Sequence, residues 1–198
     1  MAFELPLPPT PVLETERLIL RPLELRDAPA FQRCFPDWEL LKYLHAGIPW
    51  PYPPDGAETN TRESLEKRAR GERFYWVITL KDGDDEAIGR IDLWPFDGQL
   101  RDMRGFYLGR AYWGRGLMTE AADAVTDYAF RVLEWPFLYL TNAVPNVASH
   151  RVKEKQGAEL IGTEPAAYMS GEYPREVWLL TREAWIARRP AASLPRRG

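Results

Sequence analysis

Two glycines one residue apart, in Tyr112-Trp113-Gly114-Arg115-Gly116-Leu117-Met118-Thr119-Glu120, are the residues of this chain best placed for ligand chemistry. They follow the apolar run Phe106, Tyr107, Leu108 and open a long helical pattern, so they sit where a strand gives way to a helix. Glycine lets the backbone turn tightly and lets a ligand reach main-chain N–H groups with no side chain in the way. The first turn of a helix has N–H groups without an internal partner and carries the positive end of the dipole. Such a turn binds anions, phosphate above all, and Arg115 adds a full charge beside it. Two glycines alone fit a ligand-free strand-to-helix turn equally well.

The elements that must position this turn are legible on either side of it. Leu117, Ala121, Val125, Tyr128 and Val132 recur on one helical face. Glu120 and Asp123 lie near the helix start, where negative charge is favoured. Pro136 disfavours helix in the residue before it, so the helix should stop at Glu134 or Trp135. Phe137 to Thr141 then reads as a buried strand. A second motif follows in Asn146-Val147-Ala148-Ser149-His150-Arg151-Val152-Lys153-Glu154-Lys155-Gln156-Gly157.

With both motifs in view the chain resembles the GNAT acyl-CoA N-acyltransferases, and among them the RimJ/RimL type that acetylates ribosomal-protein N-termini. That type carries an aromatic-Trp-Gly-(Lys/Arg)-Gly-x-x-Thr-Glu-Ala turn, matched from Tyr112 to Ala121. It carries an Asn-x-x-Ser-x-Arg-Val-x-x-Lys-x-Gly helix, matched from Asn146 to Gly157, and it begins with Thr-Glu-Arg-Leu-x-Leu-Arg, matched from Thr15 to Arg21. The ordered set covers residues 15 to 182.

The resemblance implies an α/β fold with a twisted, mixed but mostly antiparallel sheet of about seven strands flanked by helices. It implies acetyl-CoA as co-substrate, no metal, and direct acetyl transfer to a primary amine. The pyrophosphate would rest on the N–H groups of Gly114, Arg115, Gly116, Leu117, Met118 and Thr119. The pantetheine arm would lie between the strand at Phe106, Tyr107 and Leu108 and the strand at Phe137 to Thr141, which splay apart in this family. A strand N–H near Tyr107 or Leu108 would polarise the thioester carbonyl. Asn146 would contact the cofactor, and Ser149 falls where the family's candidate acid for the departing thiolate lies. Simple alternatives stand for both: Asn146 as a helix cap, and Ser149 bonded to its own first turn.

Departures from the family pattern bear on the chemistry. Trp113 stands for the usual Gln or Arg, Met118 for Ala or Gly, and Ala158 for Phe. Many relatives place a Glu two residues before the strand glycine as a general base, and here that position is Met103. Asp102 is adjacent, but a one-residue offset faces the other side of a strand. Asp92, Tyr173, Asp102 and Glu172 are the remaining base candidates. At pH 7 an α-amine of pKa about 7.8 is about 14% neutral, whereas a lysine amine is about 0.04% neutral, a difference of roughly 3.5 kcal/mol. A site without a well-placed carboxylate therefore suits an α-amine, so the acceptor is expected to be a protein N-terminus or a small molecule. An antibiotic-type acetyltransferase and a non-catalytic acyl-CoA-binding module are the alternatives; amine-dependent thiol release separates the last from an enzyme.

The rest of the chain sets bounds. Its 198 residues suit one core, expected over 14–188, behind an extended proline-rich arm at 1–13 and before a disordered tail at 189–198. No apolar run is long enough to span a membrane. The single cysteine, Cys34, excludes an internal disulfide and fits a reducing, cytoplasmic setting. It shares a face with Phe31 and Phe35 and reads as a small core residue. A net charge of -3 argues against nucleic acid as the main partner. Asp27 is a natural N-cap for the first helix, and an aromatic segment runs from Trp38 to Pro54 with His45 inside it. Glu58 to Arg70 reads as a charged surface helix. Arg73–Leu80, Ala87–Leu93, Arg104–Leu108, Leu160–Thr163 and Tyr168–Leu180 read as strands, and Arg182–Ala187 as a last helix. Arg90 and Asp92, two charges on one strand face, fit a solvated edge or a polar cleft, and the edge is the expectation. An exposed strand near the C-terminus offers a route to a homodimer.

Overall fold

Alternation of apolar residues builds the first sheet. The computed structural model, which describes residues 3–189, pairs β1 (Leu13–Glu14), β2 (Leu18–Pro22), β3 (Phe74–Leu80), β4 (Gly89–Leu93) and β5 (Arg104–Leu108) antiparallel in that order. Along β3, Phe74, Trp76 and Ile78 pack with Leu117, Ala121 and Val125 of helix α4 (Leu117–Asp127). Tyr75 and Val77 pack on the other face, with Phe31 of α1 (Ala28–Cys34) and Ala57 of α3 (Gly56–Ala69). Both faces of β3 are covered, so the residues between the alternating Phe74, Trp76 and Ile78 are buried as well.

A second sheet holds β6 (Phe137–Ala143), β7 (Glu159–Tyr168) and β8 (Gly171–Thr181) in the order β6-β8-β7. Helix α5 (Val147–Gln156) connects β6 to β7, and α6 (Arg182–Arg188) follows β8. A four-residue helix α2 (Trp38–Leu41) is the one regular element between α1 and α3 among the described residues. The fold is thus the expected α/β one, with eight strands divided five and three.

Several local expectations need revision. The proline-rich arm is held against the body: the Leu7 N–H donates to the Gly71 carbonyl at 2.9 Å, and Phe3 stacks edge-on against Trp135. Of the tail expected at 189–198, only Arg189 lies within the described residues. Asp27 does not cap α1 through its side chain; its carboxylate binds the Arg21 guanidinium at 2.7 and 3.0 Å. β7 is longer than the expected Leu160–Thr163, because it pairs along its length with β8 around a bulge at Leu160/Gly162, and the hairpin turns just before Gly171. β7 is an edge of its sheet, with Leu160 and Ile161 exposed. Arg90 and Asp92 are not on an edge, because β4 lies inside the sheet between β3 and β5.

The first family motif has a structural reason. Glu120 accepts from the Thr15 hydroxyl (2.6 Å), the Arg17 N–H (2.8 Å) and Arg17 Nε (2.7 Å), so the chain entry is clamped to the first turn of α4. Burial alone would raise the Glu120 pKa, but these donors outweigh it and hold the group below its usual value. The clamp's contribution is therefore present above the ordinary carboxylate pKa and is lost as pH falls through the depressed one. Glu120→Ala is expected to lower unfolding stability by about 1–3 kcal/mol in urea titrations at pH 7. The difference from wild type should shrink at acid pH.

Among the described residues no helix is long and apolar enough to cross a membrane, and no group of three or more His, Cys, Asp or Glu could hold a metal ion.

Candidate active site

Both turn glycines adopt a left-handed backbone, Gly114 at φ 72° and Gly116 at φ 77°. A Cβ on Gly114 would meet nothing within 4 Å, so the backbone angle, not crowding, demands glycine there. Gly116 caps α4, and Gly114, Arg115 and Gly116 are exposed while Leu117 is buried in the core. The indole N–H of Trp113 donates to the Leu108 carbonyl at 2.6 Å, tying the turn to the end of β5. Arg17 donates to the Arg115 carbonyl at 2.9 Å. The result is a rigid, open loop of backbone N–H groups at a helix start, the arrangement that binds anions.

The two sheets meet where the Met103 N–H donates to the Tyr139 carbonyl at 2.9 Å, and then β5 and β6 diverge into separate sheets. On the β4 side, Met103 accepts from the Trp94 N–H and Gly109 donates to Ile88, so odd-numbered residues of β5 bond to β4. By antiparallel alternation the N–H groups of Phe106 and Leu108 point into the gap, whereas that of Tyr107 points to Arg90. A cavity of about 850 Å³ opens there, walled by Phe106 and Tyr107, by Thr141 and Asn142 of β6, and by Asn146 and Ser149 at the start of α5.

The aromatic segment roofs this cavity. His45 bridges to Tyr168, and the Met169 and Ser170 N–H groups donate to the Leu44 and Lys42 carbonyls at 3.0 and 3.1 Å. Residues 42–45 are thereby strapped to the β7–β8 turn. Burial lowers the His45 pKa. Cys34 is part-buried with its thiol pushed up to about 11 by burial, so it is not a thiolate near neutral pH.

The expected catalytic residues separate. Ser149 lines the cavity; its N–H donates to Asn146 Oδ1 at 3.2 Å, so Asn146 caps α5, and its Oγ accepts from Lys153 Nζ at 2.7 Å. Asp92 also lines the cavity, but Arg90 binds both its oxygens at 2.7 and 3.0 Å and in turn holds Asn60 and Ser64. The Tyr173 ring is not part of the cavity wall; it packs against Tyr43 and Tyr168, and its hydroxyl donates to Ser170 at 3.4 Å. Glu172 is exposed.

Asp102 emerges instead. Its neighbour Met103 is wholly buried in the core, so the opposite side of the chain, where Asp102 lies, is the cavity side. Asp102 Oδ1 is buried with no hydrogen-bond partner among the described residues. Burial pushes its pKa up to about 6, partly offset by the positive charge of Lys153. The position-103 comparison pointed away from this carboxylate because it assumed the reactive side of the strand.

Sequence reasoning also passed over Lys153, one turn after Ser149 and therefore on the same helical face. It is buried at 2% exposure, and its pKa is lowered to about 7 by burial and by Arg104. Arg104 is buried on β5, donating to Thr126 and Gln156 at 2.7 Å each. Near the cavity Asn142 donates to Glu176 at 2.7 Å, and Glu176 meets His150 at 2.8 Å.

Comparison with known proteins agrees with this architecture. Residues 17–159 match the family described as Acetyltransferase (GNAT) domain. A Bacillus subtilis protein described as a probable N-acetyltransferase, YjcK, is 30% identical over 154 residues, covering 74% of this chain and 82% of its own. A crystal structure of a Bacillus anthracis GNAT-family acetyltransferase superposes with a TM-score of 0.73 at 20% identity, covering 87% of this chain and 99% of that one. The structure of Mycobacterium smegmatis RimJ in complex with CoA-disulfide gives 0.72 at 20% identity, covering 84% and 82%. With the family matched over most of the chain and the splayed sheets and glycine turn both present, the chain belongs to the GNAT acetyltransferases.

Proposed function

We propose that the protein moves the acetyl group of acetyl-CoA directly to a primary amine on a slim carrier, a flexible protein N-terminus or a small molecule. The observation that carries this reading is the gap between β5 and β6, which Phe106, Tyr107, Asn146 and Ser149 border and which holds the Asp102 carboxylate, whose Oδ1 is buried with no hydrogen-bond partner among the described residues. Acetyl-CoA fits the residues present: the N–H groups of Gly114 to Thr119 take its pyrophosphate, Arg115 adds charge, and Phe106, Tyr107 and Leu108 flank its pantetheine arm. Asn146 and Ser149 border the same gap. A Cβ at Gly114 or Gly116 would meet only open space or the tip of Arg17, so the cradle is empty of protein atoms. The inward N–H of Phe106 or Leu108 is the donor for the developing oxyanion.

Asp102 is the base. With a pKa of about 6 it is ionised at neutral pH and close in basicity to the amine it relieves. Proton transfer from an α-amine near 7.8 is uphill by about 2.5 kcal/mol, and from a lysine near 10.4 by about 6 kcal/mol. This favours α-amines and other weakly basic amines. The strap between residues 42–45 and the β7–β8 turn narrows the acceptor side and favours a small amine or an extended chain end over a side chain on a folded surface.

The test is amine-dependent release of free thiol from acetyl-CoA at fixed pH. The acceptors would be an α-amine peptide, an N-blocked lysine peptide and a panel of small amines. Higher kcat/KM for the α-amine peptide or for small amines supports the reading. A faster lysine peptide removes the α-amine preference, and binding of acetyl-CoA without amine-dependent release makes the protein a binding module.

A further inference from the structure

Lys153 is the buried charge for which the site as described has no use. Its Nζ donates to Ser149 Oγ at 2.7 Å and to the Ser149 carbonyl at 3.3 Å, and sits 5.5 Å from the centre of the Phe106 ring. It forms no ion pair among the described residues and does not itself wall the cavity. The charged groups nearest in effect come from two other elements and one connection: Arg104 on β5, Glu176 on β8, and Asp102 just before β5. A buried ammonium without an ion pair is unfavourable. A methionine or leucine would fill the same space on this face of α5 without burying a charge, so packing alone gives no reason for lysine here.

We propose that Lys153 is a positioning and proton-supplying residue that acts through Ser149 on the departing thiolate of the substrate. This rests on the acetyl-transfer reading above. The amine nitrogen attacks the thioester carbonyl carbon, the C–N bond forms and the C–S bond breaks. The amine's extra proton goes to Asp102. The CoA thiolate takes the proton of Ser149 Oγ–H, and Ser149 recovers it from the Lys153 ammonium, which becomes a neutral amine and is reprotonated from water. Ser149 touches the substrate, and Lys153 stands one hydrogen bond behind it, where burial and Arg104 ease release of its proton. The charge geometry fits the direction of transfer: Lys153 must enter each turnover protonated, so activity should fall as pH rises through about 7.

The experiment is the pH dependence of kcat/KM for acetyl-CoA at saturating amine, in wild type, Lys153→Met, Ser149→Ala and the double variant, with melting temperatures and calorimetric CoA affinity alongside. In Lys153→Met we expect a loss of about tenfold to hundredfold and the disappearance of the alkaline limb near pH 7. CoA affinity should be unchanged and the melting temperature unchanged or higher. In the double variant the losses should not add, because both residues serve one proton path. An unchanged alkaline limb in Lys153→Met, additive losses, or lower stability with the limb intact would give Lys153 a packing role and overturn the relay while leaving acetyl transfer in place. Absence of amine-dependent thiol release from the wild type would overturn both.

Discussion

Gly116→Trp is expected to raise the Kd for acetyl-CoA and for free CoA by at least about a hundredfold in calorimetric titration. Two effects combine. Gly116 sits at φ 77°, where a side chain adds strain of order 1–3 kcal/mol. The turn would relax toward a right-handed backbone and swing its N–H groups out of line. Each hydrogen bond to a charged group contributes about 1.5–3 kcal/mol, and a hundredfold change in Kd corresponds to about 2.7 kcal/mol. Misdirecting two such bonds is enough, and the indole then fills the open space above the turn. Gly116→Ala keeps the strain without the bulk and should weaken binding about tenfold. The far-ultraviolet spectrum should persist in both, because the core face of α4, from Leu117 to Val125, is untouched. Wild-type affinity in Gly116→Trp would show that the pyrophosphate lies elsewhere.

The second large effect is expected at Asp102. Asp102→Asn preserves shape and burial but cannot take a proton, so kcat should fall by about 10² to 10⁴ while acetyl-CoA affinity stays within a few-fold. In the wild type the acid limb of kcat/KM should lie near pH 6, where Asp102 ionises, and should vanish in the variant. Stability moves the other way. A carboxyl whose folded pKa lies above its unfolded value contributes fully below the unfolded pKa and loses that contribution as pH rises through the folded one. Asp102→Asn should therefore leave stability near pH 3 almost unchanged and raise it at pH 8 by at most about 3 kcal/mol. Activity lost and stability gained together mark a residue kept for chemistry. If Asp102→Asn retains wild-type kcat, the base is another group. Asp92→Asn is the informative contrast: its carboxylate is occupied by Arg90, so that variant should lose stability more than turnover.

The chain's local order carried a large part of this in one dimension. The glycine pair at 114 and 116, the spacing of Leu117, Ala121 and Val125, the cap at Asn146 and the buried strand after Pro136 are all fixed by near neighbours in sequence. Turns, caps and helical faces are properties of short windows, so composition and period suffice to find them. The same is true of Ser149, whose place in the first turn of α5 follows from its cap.

What windows cannot show is which side of a strand faces the reaction, or which charges meet across it. Arg90 and Asp92 read as edge residues because an isolated strand pattern does not reveal that β3 and β5 enclose β4. Asp102 was one of four base candidates in the sequence, and it stood apart from the other three only when the fold placed Met103 in the core and opened the other side to the gap between two sheets. Glu120 needed Thr15 and Arg17 from the far end of the chain to explain it. Lys153 carries a helical spacing from Ser149 that the sequence does show, but not the burial that removes water from its charge. The sequence by itself determined the turn, the core face of α4 as far as Val125, the capped start of α5 and the family. Tertiary structure decided the proton chemistry, because pKa and reach depend on desolvation and on partners far away along the chain.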